Sequence, residues 1–416
     1  MAGFEARPKL FSPLRRLIQG KFRALRCESR SIGLPDLKIG SYDGTTMSIP
    51  ILDESSVSAP FGPRPTLFDV EAMGDFRRRH RIDPQVMRKM RYSRFQLHEP
   101  CEKSLERLGH EHAARALEEF HVAPLKIYQR RDSTIDPSVK LVLETEDQHR
   151  LETVLLRSGP SRTAVCVSTQ VGCQAGCPFC ATARMGLKRN LHYAEILEQI
   201  LIAARITRGE SRRLRNIVFM GMGEPLHNEE NLYRAIEVLT DPNMFNMPHR
   251  RITVSTVGVP DAMIRLIENF PGIQMALSLH SAKPELRSKL VPWSRKYSWE
   301  ETREALRHVA TKPKTHRHQG PVMIEHIMIE GVNDRDEDAD ALIEYLQGMY
   351  VMINLIPYNS TSFVQNWKPT TRERRSEFAM RLRNAGIFTT IRYSMGSDVQ
   401  AACGQLVQSL PKPVSN

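Results

Sequence analysis

The spacing of three cysteines constrains this chain more than any other feature. Cys173, Cys177 and Cys180 lie in the run TAVCVSTQVGCQAGCPFCATARMG, directly after a short apolar segment. This CxxxCxxC spacing predicts a loop that presents three thiolates together, and thiolates are soft ligands suited to iron–sulfur clusters, zinc or copper(I). On a four-iron, four-sulfur cluster, three protein ligands leave one iron open to a small molecule. The motif therefore indicates a reactive site more than a structural one.

Two simpler uses of the cysteines stay open at this point. A structural zinc site needs four ligands, and Cys166, in the predicted strand before the loop, is the local candidate for the fourth. A disulfide framework is disfavoured because the chain is large and has 7 cysteines, an odd number.

The charge balance indicates what kind of partner the chain binds. The composition, 41% hydrophobic and 25% charged, is typical of a soluble globular protein. With 416 residues, the chain is long enough for a large α/β core and one smaller domain. The net charge of +12 favours a polyanion, most simply RNA or DNA. No apolar run approaches the roughly 18 residues of a membrane span. We expect a cytoplasmic protein with free thiols and no membrane association.

Three regions are predicted before the main domain. Residues 1–70 form a basic, flexible extension that becomes rich in Ser, Pro and Gly. Residues 71–123 form a helical accessory domain whose many arginines suit RNA phosphates, although a solvated basic helix has the same composition. Residues 124–160 hold two alternating apolar runs, SVKLVLET and RLETVLL, which predict a β-hairpin connector. Glu152 is an unexpected carboxylate within the second run.

Apolar runs alternate with amphipathic segments through residues 161–395. The predicted strands are 163–168, 216–221, 251–256, 273–280, 322–329, 351–357 and 387–393. The predicted helices are 193–206, 231–240, 299–311, 336–349 and 372–386. This alternation predicts a parallel sheet of right-handed βαβ units that forms a partial barrel. A C-terminal segment, 396–416, follows it.

Small polar clusters follow several of the predicted strands. They are the motif Gly221-Met-Gly-Glu224-Pro225, the pair Ser255 and Thr256, the run Ser278-Leu279-His280, and Asn359. Any one of them alone is typical of a turn. Because reactive groups of parallel α/β folds lie at the carboxyl ends of the strands, the set predicts one polar pocket beside the cysteine loop.

Together these motifs resemble the radical S-adenosylmethionine (SAM) superfamily, and more closely the RlmN/Cfr family of RNA adenosine methyltransferases. The resemblance covers residues 140–410. It is carried by CVSTQVGCQAGCPFCATARMGLKRNL, GMGEPLHN, RITVSTVGV, SLHSAKPELRSKLVP, NLIPYN and AACGQL. It implies an α/β fold: a partial (βα)6 radical SAM barrel with an N-terminal helical accessory domain and a small β-hairpin region.

The resemblance also implies roles for individual residues. It assigns a [4Fe-4S] cluster to Cys173, Cys177 and Cys180. It assigns SAM contacts to Gly223, Glu224, Ser255, Ser278, Leu279, His280 and Asn359. In the implied chemistry, Cys403 takes a methyl group from one SAM and becomes S-methylcysteine. A second SAM at the open iron is cleaved to a 5′-deoxyadenosyl radical, which removes a hydrogen from that methyl group.

The later steps of the implied chemistry use two further residues. The methylene radical adds to the adenine ring, and Glu152 then acts as the proton acceptor. Cys166 attacks Cys403 and releases the product as a transient disulfide.

The implied function is methylation of carbon 2 of an adenosine in 23S ribosomal RNA, with transfer RNA as a further substrate. Carbon-8 methylation within the same family is the alternative, because both branches use the same cysteines. A non-catalytic zinc or iron–sulfur RNA-binding protein is the alternative of a different class. We expect a monomer that receives electrons from a donor such as flavodoxin or ferredoxin.

Overall fold

The protein is organised on a ten-stranded mixed β-sheet. The computed structural model describes residues 64–159, 162–311, 320–361 and 366–406, all of which fall in one compact unit. Within these ranges, none of the helices has the length and apolar character needed to cross a membrane.

The strands follow one another through the sheet almost in chain order. Their bounds are β1 (Leu125–Asp132), β2 (Val139–Thr145), β3 (Arg150–Arg157), β4 (Thr163–Cys166), β5 (Gln170–Gly172), β6 (Leu187–Asn190), β7 (Asn216–Phe219), β8 (Ile252–Thr256), β9 (Gln274–Ser278), β10 (Val322–Met328), β11 (Val351–Pro357) and β12 (Phe388–Ile391). The order in the sheet is β1-β2-β3-β4-β7-β8-β9-β10-β11-β12, while β5 and β6 form a separate two-stranded ribbon.

Helices connect the parallel part of this sheet. Those that follow the first six parallel strands, in chain order, are α6 (Tyr193–Gly209), α7 (Glu229–Thr240), α8 (Pro260–Asn269), the pair α9 (Pro284–Leu290) and α10 (Trp299–Val309), α11 (Asp336–Leu346) and α12 (Arg372–Asn384). A short helix, α5 (Ala181–Arg184), follows the cysteine loop. The strands from β4 to β12 in the sheet all pair in parallel. Six strand–helix units followed by β12 confirm the predicted (βα)6 core in the described part of the chain.

The apolar face of the sheet explains why these segments fold together. Val165, Ile217, Val254, Leu277 and Ile324 lie on five strands that are neighbours in the sheet, β4 and β7 to β10, and are fully buried. Side chains alternate between the two faces of a strand, so one face of each of these strands is apolar and packs in the core. The main apolar cluster joins this face to residues from α6, α7, α8, α10, α11 and α12.

The sheet extends further than the sequence predicted. The expected β-hairpin connector is present as β2 and β3, but both strands, with β1, continue the main sheet in antiparallel pairing. Strand β1 was not predicted because half of its sequence, LKIYQRRD, is charged and most of it is exposed, so it shows no apolar alternation. Helices α8 and α9 were also missed, the latter because its 7 residues are too short to show an apolar period.

The predicted flexible extension, 1–70, is too long at its C-terminal end. Leu67 and Phe68 are only 3% and 2% exposed, because they pack into the two apolar clusters of the protein. Residues 1–63, which hold most of that extension, lie outside the described ranges.

The region predicted as a helical accessory domain contains four α-helices in the described residues. They are α1 (Val70–Arg79), α2 (Pro84–Arg91), α3 (Cys101–Leu105) and α4 (His110–Glu119). These helices enclose an apolar cluster of their own, which includes Met73, Phe76, Met90 and Phe120.

A buried ion pair joins this helical region to the sheet domain. Arg94 Nη2 lies 2.8 Å from Glu198 Oε2 on α6, and the two side chains are 1% and 2% exposed. Arg205 contacts the other carboxylate oxygen at 2.6 Å but is 30% exposed. Burial raises the pKa of Glu198, and the two arginines oppose that rise. The charge of Glu198 therefore depends most on Arg94, its fully buried partner.

Replacement of Arg94 by Met should destabilise the protein by about 3–5 kcal/mol, because it leaves a buried carboxylate without its fully buried cation. Arg205→Met is the matched control, and we expect it to cost about 1 kcal/mol or less since its guanidinium is partly hydrated. Urea unfolding of both variants measures the difference. Equal losses of stability would contradict the role assigned to Arg94.

Candidate active site

Polar side chains share the face of the sheet opposite the apolar one. Cys166 lies opposite Val154 on β3 and Val218 on β7, and Glu325 lies between Ser278 on β9 and Asn354 on β11. The strand register places the following polar residues on this inner face: Lys140, Glu152, Cys166, Thr253, Ser255, Gln274, Ser278, Glu325, Asn354 and Thr390. The predicted site residues Glu152, Cys166, Ser255 and Ser278 thus belong to one surface.

The cysteine loop begins immediately after β5, and its entry requires glycine. A Cβ on Gly172, which has φ +82°, would lie 1.8 Å from the carbonyl oxygen of Gly186, the residue before β6. The amide of Cys173 donates to the same oxygen at 3.2 Å, and the amide of Cys180 donates to the carbonyl of Cys177 at 3.1 Å. These contacts turn the loop so that its three cysteines are close in space.

The cysteines fit an iron–sulfur cluster better than a structural zinc ion. Burial raises the pKa of the Cys173 and Cys177 thiols above the usual range, and a metal that binds a thiol deprotonates it. Within the described residues, no three His, Cys, Asp or Glu side chains are arranged to hold a single metal ion. Structural zinc needs four ligands around one ion, whereas a four-iron cluster can bind each cysteine through a different iron.

The loop after β7 places Glu224 next to the cysteine loop. A Cβ on Gly223 would lie 2.6 Å from the Cβ of Gln170, so this loop can pack against β5 only with glycine here. The Glu224 carboxylate accepts hydrogen bonds from the amides of Val257 at 2.8 Å and Leu226 at 3.0 Å. Burial, partly offset by these amides, raises the pKa of Glu224 to about 7. An ammonium group bound nearby would stabilise its charged form.

A buried arginine fixes the strand end that carries Ser278 and Leu279. Arg287 is 1% exposed and donates to the carbonyls of Ser278 at 2.9 Å, Leu279 at 2.5 Å and Val257 at 2.6 Å. The Leu279 side chain lies fully in the core, so only its backbone is available to a ligand.

His280 joins this strand end to the cysteine loop. Its φ is +59°, its Nδ1 accepts a hydrogen bond from the amide of Ile327 at 3.1 Å, and its ring lies edge-on to Phe179 at 4.9 Å. Burial lowers the pKa of His280 well below its ordinary value. The imidazole is therefore neutral, and its Nδ1 is already used by the protein.

The C-terminal segment brings Cys403 to the cysteine loop. The amide of Ala181 donates to the carbonyl of Gly404 at 2.7 Å, and the hydroxyl of Thr182 donates to the carbonyl of Leu406 at 2.6 Å. From the barrel side, Asn359 Nδ2 donates to the carbonyl of Cys403 at 3.0 Å. Asn359, predicted as a SAM contact, therefore holds the backbone of Cys403.

The surroundings of Cys403 are those of a cleft. The residue is exposed, yet desolvation by nearby protein, and next the charge of Glu325, raise the pKa of its thiol to about 11. Solvent exposure and desolvation are compatible if protein surrounds the Cys403 side chain on most sides and solvent reaches it from one side.

Cys166 and Glu152 lie on the inner face near this cleft. Burial raises the pKa of the Cys166 thiol above its usual range, and the nearby Cys403 thiol adds to that effect. Glu152 is fully buried, and its Oε1 lies 3.1 Å from Nζ of Lys140, which is fully buried as well. The structure thus brings Cys166, Cys403 and the predicted proton acceptor Glu152 to one region, where the C-terminal segment meets the inner face of the sheet.

Sequence analysis missed several polar residues of this site. Lys140, Glu325 and Asn354 each interrupt an apolar strand segment, which is the same signal that singled out Glu152. Asn354 Nδ2 donates to Glu325 Oε1 at 2.9 Å, and Thr390 on β12 donates in turn to Asn354 Oδ1. Arg287 gave no such signal, because an arginine in a short charged helix is ordinarily exposed.

Cys101 shows what an incidental buried cysteine looks like in this protein. It packs in the apolar cluster of the helical region, where burial raises the pKa of its thiol to about 11. Cys27 lies outside the described residues.

Comparison with known proteins gives consistent matches over most of the chain. A family model described as "Radical SAM superfamily" matches residues 167–343. A protein of Rhodopirellula baltica named as a probable RNA methyltransferase is 45% identical over 342 residues, which cover 82% of this chain and 87% of that protein. A "Probable dual-specificity RNA methyltransferase RlmN" of Thermotoga neapolitana is 42% identical over 299 residues, covering 72% of this chain and 84% of that protein.

A solved structure resembles this one to a similar extent. The crystal structure of a radical SAM methyltransferase from Sphaerobacter thermophilus has a TM-score of 0.77 and 36% sequence identity. The match covers 82% of this chain and 99% of that chain.

Replacement of Gly404 by Ala should displace the neighbouring Cys403. Gly404 has φ +84°, and a Cβ at this position would lie 3.0 Å from the carbonyl oxygen of Phe179. Gly386→Ala is the matched control, since Gly386 has φ +82° and no heavy atom within 4 Å of such a Cβ. We expect both variants to lose about 1 kcal/mol or more in thermal unfolding from backbone strain. Only G404A should change the rate at which a maleimide labels Cys403, measured by peptide mass spectrometry. Unchanged labelling in G404A would show that the hydrogen bond between Ala181 and Gly404 does not position Cys403.

Proposed function

The chain belongs to the RlmN-type family of radical SAM RNA methyltransferases, and we propose that it methylates carbon 2 of an adenosine in 23S ribosomal RNA. The proposed chemistry needs Cys403 close to both the cysteine loop and Cys166, and two observations support this proximity. The segment that carries Cys403 is hydrogen-bonded to the residue after the cysteine loop, through Gly404 and Ala181. Burial raises the pKa of the Cys166 thiol, and the nearby Cys403 thiol raises it further. Residues distant in sequence are thus held together at one site.

The cysteine loop and the strand ends are the proposed binding residues for the two cofactors. Cys173, Cys177 and Cys180 would hold the [4Fe-4S] cluster, and the SAM contacts would be Gly223, Glu224, Ser255, Ser278, Leu279, His280 and Asn359. When bound, these groups supply a methyl donor and a reductively generated radical. Glu224 would bind the amino group of SAM, because its buried carboxylate is held by the backbone amides of Val257 and Leu226 and by the hydroxyl of Thr256, none of which is charged, so that it gains from a cation.

Cys403 is the proposed methyl acceptor of the protein. Its sulfur is reachable from solvent, so a bound SAM and an RNA base could each approach it, whereas the Cys166 thiol is buried behind it. Asn359 and Ala181 hold the backbone at and directly after Cys403 through hydrogen bonds to the carbonyls of Cys403 and Gly404. This arrangement keeps the methyl carrier in place while the substrate changes.

Glu152 and Cys166 are the proposed groups that complete the reaction. The Glu152 carboxylate would hold the proton removed from the adenine ring, for which its buried site next to Lys140 excludes competing water. The Cys166 thiol would attack the Cys403 sulfur and release the RNA, leaving a transient disulfide between the two cysteines.

RNA is the substrate that the family membership and the net charge of +12 support. The relatives named dual-specificity enzymes support a second substrate, which we propose is transfer RNA. A monomer that accepts electrons from a flavodoxin- or ferredoxin-like donor completes the proposal. The alternative of a non-catalytic RNA-binding protein is not supported, because the relatives aligned over most of their length are methyltransferases.

The position of the methyl group separates the proposal from its carbon-8 alternative. RNA from cells that express the protein should contain 2-methyladenosine, detected by nuclease digestion and mass spectrometry against both standards. Cells that express Cys403→Ala are the control and should lack it. 8-methyladenosine in place of 2-methyladenosine would move the chain to the other specificity.

Replacement of Cys166 by Ala should leave the protein covalently joined to RNA, because no thiol then releases the adduct from Cys403. Denaturing gel electrophoresis before and after nuclease treatment measures the adduct. Cys101→Ala is the control, since Cys101 is also buried but lies in the helical region, and this variant should be free of RNA. A C166A protein that is free of RNA and still methylates RNA over several turnovers would disprove the role of Cys166 in releasing the product from Cys403.

A further inference from the structure

Lys140 is a fully buried lysine that neither the sequence motifs nor the proposed chemistry uses. Its ammonium contacts two groups of the active site at once. Nζ lies 3.1 Å from Glu152 Oε1 and donates a hydrogen bond to the carbonyl of Gln400 at 3.1 Å. Gln400 belongs to the segment that leads into Cys403. One side chain thus bridges the proposed proton acceptor and the backbone of the proposed methyl carrier.

The strand register explains how Lys140 reaches both. Lys140 on β2 lies opposite Val154 on β3, and Val154 lies opposite Cys166 on β4. Lys140, Glu152 and Cys166 therefore lie on the same face of three adjacent strands. A further cation on this face is Arg131 on β1, which lies opposite Lys140.

A buried ion pair of this kind is not explained by stability alone. The cost of removing two charges from water can exceed their attraction, and apolar replacements of similar volume are often neutral or stabilising. Burial lowers the pKa of Lys140, while the charge of Glu152 raises it and the charge of Arg131 lowers it further. Lys140 thus carries its charge at a cost that the Glu152 carboxylate offsets.

A second set of contacts ties the same hairpin to the Cys403 segment. Asp136, in the turn between β1 and β2, accepts a hydrogen bond from the amide of Gly396 at 2.6 Å. Asp398 accepts bonds from Ser133 Oγ at 2.7 Å and from the amide of Thr134 at 2.8 Å. The hairpin therefore holds the backbone before Cys403 at its outer end, and Lys140 holds it at the inner face.

We propose that Lys140 is a positioning residue of the active site, which keeps Glu152 as a carboxylate and aligns it with the segment that carries Cys403. This proposal rests on the proposed function, which makes Glu152 the proton acceptor and Cys403 the methyl carrier. It assigns no bond-making step to Lys140: its ammonium stays protonated and acts through the charge and position of its two neighbours.

The charge state of Glu152 gives a test that needs neither cofactor nor RNA. In metal-free Lys140→Met, Glu152 loses the ammonium group that lies 3.1 Å from its Oε1 and should take up a proton, since burial without that charge disfavours the carboxylate form. Infrared difference spectra against wild type, in mildly alkaline buffer, should show a new carboxylic-acid carbonyl band. That band should be absent from Lys140→Met/Glu152→Gln. No band in K140M, or a band that persists in the double variant, would overturn the proposal.

The activity test uses the same variants in single-turnover RNA methylation. K140M and E152Q should each lose about 100-fold or more, the range expected for loss of a general base. The double variant should be no slower than E152Q, because residues that act as a unit are not additive. If K140M does not fold, comparison of the double variant with E152Q still tests the proposal. The double variant should fold because both members of the buried ion pair are replaced by neutral side chains. A double variant much slower than E152Q would overturn the proposal.

Arg157→Met is the matched control. Arg157, on β3 of the same hairpin, is also largely buried, pairs with Glu210 and donates to the carbonyl of Pro137 at 2.9 Å, but the alternation of β3 places it on the opposite face from Glu152. R157M should show no new acid band and near-normal methylation. An effect of R157M equal to that of K140M would reduce Lys140 to a general structural role. Absence of RNA methylation in wild type, with the infrared result intact, would instead refute the proposed function.

Discussion

The hydrogen-bond register of the ten-stranded sheet determines which side chains meet at the active site. Because the side-chain period of a strand is two, a shift by one residue would move a whole set of side chains to the other face. The pairing of Val154 with Cys166 places Glu152 and Cys166 on one surface, and the pairing of Glu325 with Ser278 and Asn354 extends that surface across the barrel. The same register buries Val165, Ile217 and Leu277 on the opposite face, so core packing enforces the geometry of the site.

The C-terminal segment depends on the sheet without being part of it. Residues 396–406 form no strand or helix, and other parts of the chain hold them through hydrogen bonds. The hairpin turn contacts Gly396, Asn359 contacts Cys403, and the residues after the cysteine loop contact Gly404 and Leu406. The antiparallel strands β1–β3 therefore do more than extend the sheet, because they help to hold the segment on which Cys403 is placed.

Two of the buried ion pairs in the described residues lie where separate parts of the fold meet. Arg94 and Glu198 join the helical region to α6, and Lys140 and Glu152 face the candidate active site. Arg287 is buried differently, with backbone carbonyls in place of a carboxylate. Since each buried charge carries a desolvation cost, these positions mark where geometry matters more than stability.

The sequence by itself determined the α/β class, the order of the parallel strands from β4 to β12 with most of the helices between them, and the composition of the cysteine loop. These follow from local signals: apolar periodicity, segment length and the spacing of ligand side chains. It also singled out Glu152, because a carboxylate in an apolar run is a local anomaly. The family resemblance then implied a role for Cys403 that spacing alone did not.

Only the tertiary structure decided which distant residues meet. Lys140 and Gln400, or Ala181 and Gly404, come together through the pairing of strands and the return of the C-terminal segment, neither of which leaves a local trace in the sequence. Strand β1 escaped prediction for a related reason. Its charged and exposed residues are held in the sheet by backbone hydrogen bonds to β2, and backbone hydrogen bonds do not depend on the side chains that a sequence displays.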